Sequence, residues 1–315
     1  MSNFLFSINA TMPIFFVILL GYILKQKKFL TDEFAMVANK YVFSVALPVM
    51  LFEEISSANI RDVMDLKFFL YCFLVTLTMF ALVWIIAAFS LKDKTMVGAF
   101  AQGGARGSAA ILGVAFVENI CGDIGMTPLM IVASVPFFNM LSVIILVFNA
   151  NNKDNKDYGK IKNSFVNIIK NPIIIGILIG LVFSLLRIDL PIIANRTLGY
   201  ISRTATPIAL ISVGAGFDAK YAIKKIKPAL WASFIKLIGL PMVFLPIAFL
   251  LGFGGSEIVA ILMMLAAPTT VSCYIMAKNM DNDDVLTSNI IVLTTLLSSI
   301  TLTFWIYVLK TMQYI

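Results

Sequence analysis

The sequence predicts an all-α integral membrane protein: ten transmembrane helices in two inverted five-helix repeats, with the fourth and ninth helices broken and crossed. Three observations lead there. Hydrophobic residues make up 60% of the chain and charged residues 13%, against about 25% charge in soluble domains, and the mean hydropathy is +0.95. Apolar runs long enough for a bilayer core of about 30 Å recur along the whole length. The first half of the chain can also be laid on the second at one fixed offset.

The ten runs cover residues 5–24, 33–53, 68–90, 95–119, 127–149, 164–186, 192–217, 228–251, 256–278 and 285–309. They are continuous and about twice the length of the alternating ~10-residue segments of a barrel, so they read as helices. MSNFLFSINA has no basic residue ahead of its apolar stretch, so the first run is expected to stay as a span rather than to be cleaved. Loops after spans 1, 3, 5, 7 and 9 hold fifteen lysines, from Lys25 to Lys278. The opposite loops and the C-terminus hold five basic residues, Arg61, Lys67, Arg187, Arg196 and Lys310. The positive-inside rule then predicts a multi-pass plasma-membrane protein with both termini extracytoplasmic. The net charge of +7 is mostly this topology signal. Clusters such as KKIK at 224–227 suit anionic membrane lipid, and no soluble domain remains to offer nucleic acid a basic face. Cys72, Cys121 and Cys273 have neither even number nor CxxC spacing and read as packing residues.

The repeat appears when PIFFVILLG (13–21) is placed over PIIIGILIG (172–180), an offset of 159. Without gaps, the same frame sets Tyr41 on Tyr200, Ala46 on Ala205, Pro48 on Pro207 and Leu51 on Leu210. The predicted organisation is a first five-helix repeat over 1–148, a cytoplasmic linker over 149–163, and a second repeat over 164–315. Five is odd, so the halves enter the membrane from opposite sides, as in many secondary transporters.

At that offset the run LAAPTTVSCY (265–274) overlies RGSAAILGVA (106–115). Both lie mid-span in the fourth helix of a repeat, and both suit a continuous helix poorly. Pro268, Thr269 and Thr270 interrupt one; Gly103, Gly104, Gly107 and Gly113 loosen the other. A break survives in hydrocarbon only where protein or a wet cavity satisfies the freed backbone groups. The two half-helix ends are therefore expected to meet near the midplane and present N–H groups to an anion, aided by the hydroxyls of Ser108, Thr269, Thr270 and Ser272.

These segments resemble the auxin efflux carrier family, which contains the plant auxin carriers and bacterial malate and malonate permeases. The resemblance spans essentially the whole chain, and its most specific pieces are APTTVSCYIMAKNMDNDDVL (267–286), ALPVMLF (46–52), TPIALISVGAGF (206–217) and ARGSAAILG (105–113). It implies ten helices in two inverted repeats: spans 1, 2, 6 and 7 as a dimerising scaffold, spans 3–5 and 8–10 as a moving domain, and substrate bound where spans 4 and 9 cross. Three positions depart from the family pattern. Ser108 stands where an asparagine that contacts substrate is common, Ala115 where a proline is common, and Cys273 where the plant members have a second proline. Auxin itself is not the expected substrate, and Gly107 and Gly113 are expected to supply the flexibility a proline would give.

Arg106 lies eleven residues after Thr95, about 16 Å along a helix and close to mid-bilayer. An arginine there costs at least about 2.5–3.5 kcal/mol and must face protein or water. Two readings stand side by side: a charge partner for a substrate carboxylate, and a structural arginine bonded to broken-helix carbonyls. Lys40, Arg203 and Lys236 lie nearer span ends, where snorkelling suffices. Gly103 and Gly107 have the GxxxG spacing of close helix packing. Gln102 and Asn139 are buried-span amides, lining the path or bonding a neighbouring helix. DNDD (281–284) lacks EF-hand spacing, so Asp283 or Asp284 is expected to cap the last helix rather than bind calcium. Glu53, Glu54, Glu118, Asp218 and Glu257 fall near span ends, which leaves no evident mid-membrane carboxylate and, with no histidine, no obvious proton relay; coupling through the substrate's own ionisation or an end-located acid stays open.

The candidate substrate-binding residues are Arg106, Gly107, Ser108, Ala109, Pro268, Thr269, Thr270, Ser272 and Cys273, with Gln102 and Asn139 behind them. No catalytic residue, cofactor or metal is expected: GxSxG, P-loop and HExxH signatures are missing, so the chain does not read as an enzyme. The function expected is secondary transport of a small mono- or dicarboxylate by elevator-like alternating access, in a homodimer. Two alternatives stay open: a cation-coupled antiporter or bile-acid-type symporter of related fold, and a membrane sensor that binds an anion without transporting it.

Overall fold

The computed structural model describes residues 2–57, 65–150, 166–217 and 219–315. Arg61, Asp218 and most of the expected 149–163 linker, with Lys153, Lys156, Lys160 and Lys162, lie outside the described residues. Secondary structure among the described residues is helical throughout. In chain order the helices are α1 (Ser2–Gln26), α2 (Asp32–Tyr41), α3 (Leu47–Ser56), α4 (Leu66–Ser90), α5 (Val97–Ala105), α6 (Ala109–Cys121), α7 (Thr127–Phe148) and α8 (Pro172–Leu186). They continue with α9 (Ile192–Ala215), α10 (Ala219–Lys224), α11 (Ile226–Phe234), α12 (Leu240–Leu250), α13 (Ser256–Ala266), α14 (Ser272–Asn279) and α15 (Asp284–Thr311). A π-helical turn, Val42–Ala46, joins α2 to α3, and a second, Ile235–Gly239, joins α11 to α12. Six continuous stretches among the described residues are long and apolar enough to cross a bilayer: Leu5–Gln26, Asp32–Ser56, Leu66–Ser90, Thr127–Phe148, Ile226–Leu250 and Asp284–Thr311.

Local chemistry explains several starts. Thr31 accepts from the Phe34 N–H at 3.1 Å, and Asp65 accepts from that of Phe68 at 3.0 Å. Asn171 accepts from Ile173 N–H ahead of Pro172 at the first turn, where a missing N–H costs nothing. Asp283 accepts from Leu286 N–H at 2.9 Å and pairs with Lys225 at 2.5 Å, so its role here is the helix cap.

Loop contacts sort into two ends. At one, Lys225 meets Asp283, Lys278 meets Asp284, and Asn282 donates to Leu146 O at 3.0 Å. At the other, Lys67 donates to Leu251 O and Gly255 N–H to Tyr314 O at 2.8 Å. The ends of the fifth, seventh and ninth apolar runs thus gather at the first end, and those of the second, eighth and tenth at the second.

Two apolar cores lie side by side. One draws on α1–α3, α8 and α9, with one side of α7 and α14. The other draws on α4–α7, α11–α13 and α15. Within the first, a Cβ on Gly214 would strike the Ile18 backbone and one on Gly176 would lie 2.5 Å from Pro48 O. Backbones approach this closely because, in lipid, packing and not water exclusion holds helices together.

Candidate functional site

Two of the apolar runs are interrupted. One stops at Ala105, leaves the helical path through Arg106 (φ −85°, ψ 127°), and resumes as α6 at Ala109. The other stops at Ala266, passes through an extended Ala267 (φ −60°, ψ 143°), and resumes as α14 at Ser272. The breaks touch: Ser108 N–H donates to Pro268 O at 2.8 Å. Pro268 accounts for one break. The other carries no proline, and the Gly103–Gly107 stretch yields at residues 106–108. Gly113, expected to share that flexibility, lies instead inside α6, packed near Met130 and Met263.

Ending a helix in a buried site strands its last four carbonyls, and several of those at each break find donors here, two at the end of α5 from the other half of the chain. At the end of α5, Gln102 O accepts Arg106 N–H at 2.9 Å, Gly103 O accepts the Thr269 hydroxyl at 2.7 Å, and Ala105 O accepts the Lys236 ammonium at 3.0 Å. At the end of α13, Met263 O accepts Ala267 N–H at 3.1 Å and Met264 O accepts Lys236 at 3.3 Å. One cation thus serves the negative ends of both half-helices. Lys236 is 0% exposed, which corrects the snorkelling expectation: it sits in the π-turn and points inward, not toward the interface. A Cβ on Gly107 would lie 2.8 Å from Ala267 O and 2.9 Å from Lys236 Nζ, so only glycine lets the chains cross here. Lys40 and Arg203 are exposed, as snorkelling groups are.

A narrow cleft with about 40 Å³ of room opens beside the crossing. Arg106, Gly107, Ser108 and Ala109 line it from one break and Thr270 and Ser272 from the other, with Asn139 of α7 and Met50, Leu51 and Glu54 of α3 opposite. Arg106 is 5% exposed. Its Nη2 donates to Asn139 Oδ1 at 2.6 Å and its Nη1 to Met276 Sδ at 2.8 Å, so neither of the carbonyl ends nearby holds it. Asn139 is anchored in turn by its own Nδ2, which donates to Val135 O at 2.9 Å. The N-termini of α6 and α14 have no side-chain cap, and the hydroxyls of Thr270 and Ser272 lie 3.3 Å apart. This arrangement concentrates donors and one buried cation around a small space.

Four of the expected site residues do not line that space. Pro268 and Thr269 brace the crossing through the bonds above, and Thr269 N–H also donates to Thr294 Oγ1 at 3.1 Å. Cys273 is fully buried. Gln102 is buried too, with Nε2 3.4 Å from Met276 Sδ and Oε1 without a hydrogen-bond partner among the described residues. Glu54 corrects the expectation that no carboxylate lies at the crossing. It shares the cleft with Arg106 and interacts with it electrostatically.

Residues 6–306 match a family described as membrane transport proteins. The chain belongs to this family. It is therefore a multi-pass membrane transport protein rather than an enzyme, in the family of the auxin efflux carriers. Among similar proteins is one from Methanothermobacter thermautotrophicus named only as an uncharacterised transporter, 24% identical over 309 residues, covering 97% of this chain and 99% of that one. Another, from Rhizobium meliloti, is provisionally named a malonate transporter and is 23% identical over 307 residues, covering 96% and 95%. Sequence reasoning about this transporter overlooked Lys236, Glu54 and Met276 at the crossing. For Lys236 a signal existed, since a lysine eight residues inside the apolar run 228–251 is costly enough to require a partner.

Proposed function

We propose that the transporter carries a small mono- or dicarboxylate across the plasma membrane by secondary active, elevator-like alternating access. The observation that carries this reading is Arg106, buried at the crossing of two interrupted helices and bonded to neutral acceptors, Asn139 and Met276. Its charge is therefore open to a substrate carboxylate, which gains most from a desolvated, bidentate guanidinium. Uncapped N–H groups at the start of α6 and the hydroxyls of Thr270 and Ser272 would bind the remaining oxygens. Malonate, in the name of the Rhizobium relative, is of this chemical class.

The same proposal includes ten spans in inverted repeats over 1–148 and 164–315, both termini outside, and a homodimer through spans 1, 2, 6 and 7. The 159-residue self-match, the two sets of loops and the two cores support it. A sodium-coupled reading is the weaker one, because the carbonyls of Ala105 and Met264 that would attract a metal ion already bond the Lys236 ammonium.

The test is uptake of labelled malonate and a series of mono- and dicarboxylates into proteoliposomes. Arg106→Ala is expected to abolish uptake of whichever anion the native protein carries while expression is unchanged. Native rates in that variant would overturn the assignment of Arg106, and tight binding without flux would favour a sensor.

A further inference from the structure

Charge accounting in the cleft leaves one group without a role. Glu54, on the last turns of α3, lines the same space as Arg106, Ser108 and Thr270. The surroundings of its carboxylate are otherwise poor in charge. Its own helix supplies Glu53, which lines a separate groove with Arg196 and Arg203 of α9. The facing part of α7 offers Asn139 and apolar Val135 and Pro136; α8 has no charged residue and reaches Glu54 through Leu181. Arg106 is the cation that acts on Glu54, and Arg106 belongs to no ion pair of the described residues closer than 4 Å. The two charges face one another across the opening without being locked together.

That arrangement constrains what happens when an anion enters. An empty cleft holding Arg106 as a cation and Glu54 as an anion is neutral overall. Adding a substrate carboxylate beside Arg106 puts two negative groups in one narrow, poorly solvated space, and like charges there cannot both persist. Resting on the carboxylate reading above, we propose that Glu54 takes up one proton as the substrate carboxylate takes its place beside Arg106. Each anion then crosses with one proton. The carboxylate oxygen of Glu54 gains the proton on loading and returns it to water on release, so Glu54 and the substrate carboxylate beside Arg106 together never hold more than one negative charge, and the carrier runs as an anion–proton symporter. The two groups sit on different cores: Glu54 is on α3, whose Leu51 and Ile55 belong to the core of α1–α3, α8 and α9, whereas Ala105 and Ala109, flanking Arg106, belong to the other. Movement of one core past the other would let water reach Glu54 from the opposite side of the membrane, where the proton is returned as the substrate leaves.

The test uses the full-length protein and malonate. Calorimetric titrations in buffers of different ionisation enthalpy give the protons taken up per malonate bound, and reconstituted vesicles give uptake with and without an inward proton gradient. The native protein is expected to take up about one more proton per malonate than Glu54→Gln. The variant is expected to bind malonate and support malonate–malonate exchange, but to lose stimulation by the gradient, and Glu54→Asp to restore it. Equal proton uptake by native and Glu54→Gln protein, or equal stimulation, would overturn the assignment while leaving the carboxylate reading intact. No binding or flux for malonate or any of the carboxylate series would overturn that reading and this proposal together.

Discussion

Ser108 N–H donates to the carbonyl of Pro268 across 2.8 Å, tying the two interrupted helices together at the points where each loses its own hydrogen-bond ladder. That tie is accompanied by a second bond between the breaks, from the Thr269 hydroxyl to Gly103 O. Together they bring the donors of one break against the orphan acceptors of the other, so that polar backbone persists at depth without contact with lipid.

Arg106→Ala is expected to weaken anion binding by about 30-fold or more, because losing one partner of a desolvated charge pair costs about 2–5 kcal/mol. Arg106→Lys is expected to recover little of it, since a lysine cannot span Asn139 Oδ1 and Met276 Sδ with one planar fork. Binding constants for the two variants, measured on folded protein, check this; a fully functional lysine variant would count against the geometry.

Gly107→Ala is expected to lower stability by about 1–3 kcal/mol, the usual cost of overpacking, since its Cβ meets Ala267 O and Lys236 Nζ below 3 Å. Gly113→Ala is the contrast. There the nearest atom is the flexible end of Met130 at 3.4 Å, and alanine in a helix interior gains about 0.5–1 kcal/mol over glycine. Melting temperatures in detergent should move in opposite directions.

Lys236→Glu is expected to prevent folding, because a carboxylate would face the carbonyls of Ala105 and Met264 that the ammonium now bonds. Lys236→Met should fold: it forfeits two hydrogen bonds to a charge, about 1.5–3 kcal/mol each, but also removes the several-kcal/mol penalty of burying that charge. Yield of monodisperse protein from the two variants separates the outcomes.

Thr269→Val is expected to cost about 1–3 kcal/mol by leaving Gly103 O without its 2.7 Å donor in a buried setting, and Thr269→Ser to cost clearly less. Denaturation midpoints of the pair report the hydroxyl separately from the shape of the side chain.

Much of the crossing is legible in residue types. Pro268 and the glycines of the fourth apolar run mark where a ladder fails, and a mid-span arginine marks where charge must be sheltered. Which way a side chain points is harder to read. The π-turn at Val42–Ala46 precedes Glu54 and the one at Ile235–Gly239 contains Lys236. Each inserts one residue into the turn and rotates the residues C-terminal to it by about 100° relative to a regular α-helix. A periodicity count that assumes an unbroken helix therefore misassigns the faces on which these two residues lie, and proximity to a span end hides Lys236 behind a snorkelling reading and Glu54 behind a peripheral one.

By itself the sequence determined that this is a helical membrane protein, roughly where its apolar runs begin and end, and which two of them are interrupted, because hydrophobic length and helix-breaking residues act locally along the chain. Only the tertiary structure decided that Lys236 serves both carbonyl ends, that Pro268 and Thr269 brace the crossing rather than line the cleft, and that Glu54 faces Arg106. Those outcomes depend on how helices distant in sequence rotate and dock, and the closing hydrogen bonds form only after that docking has occurred.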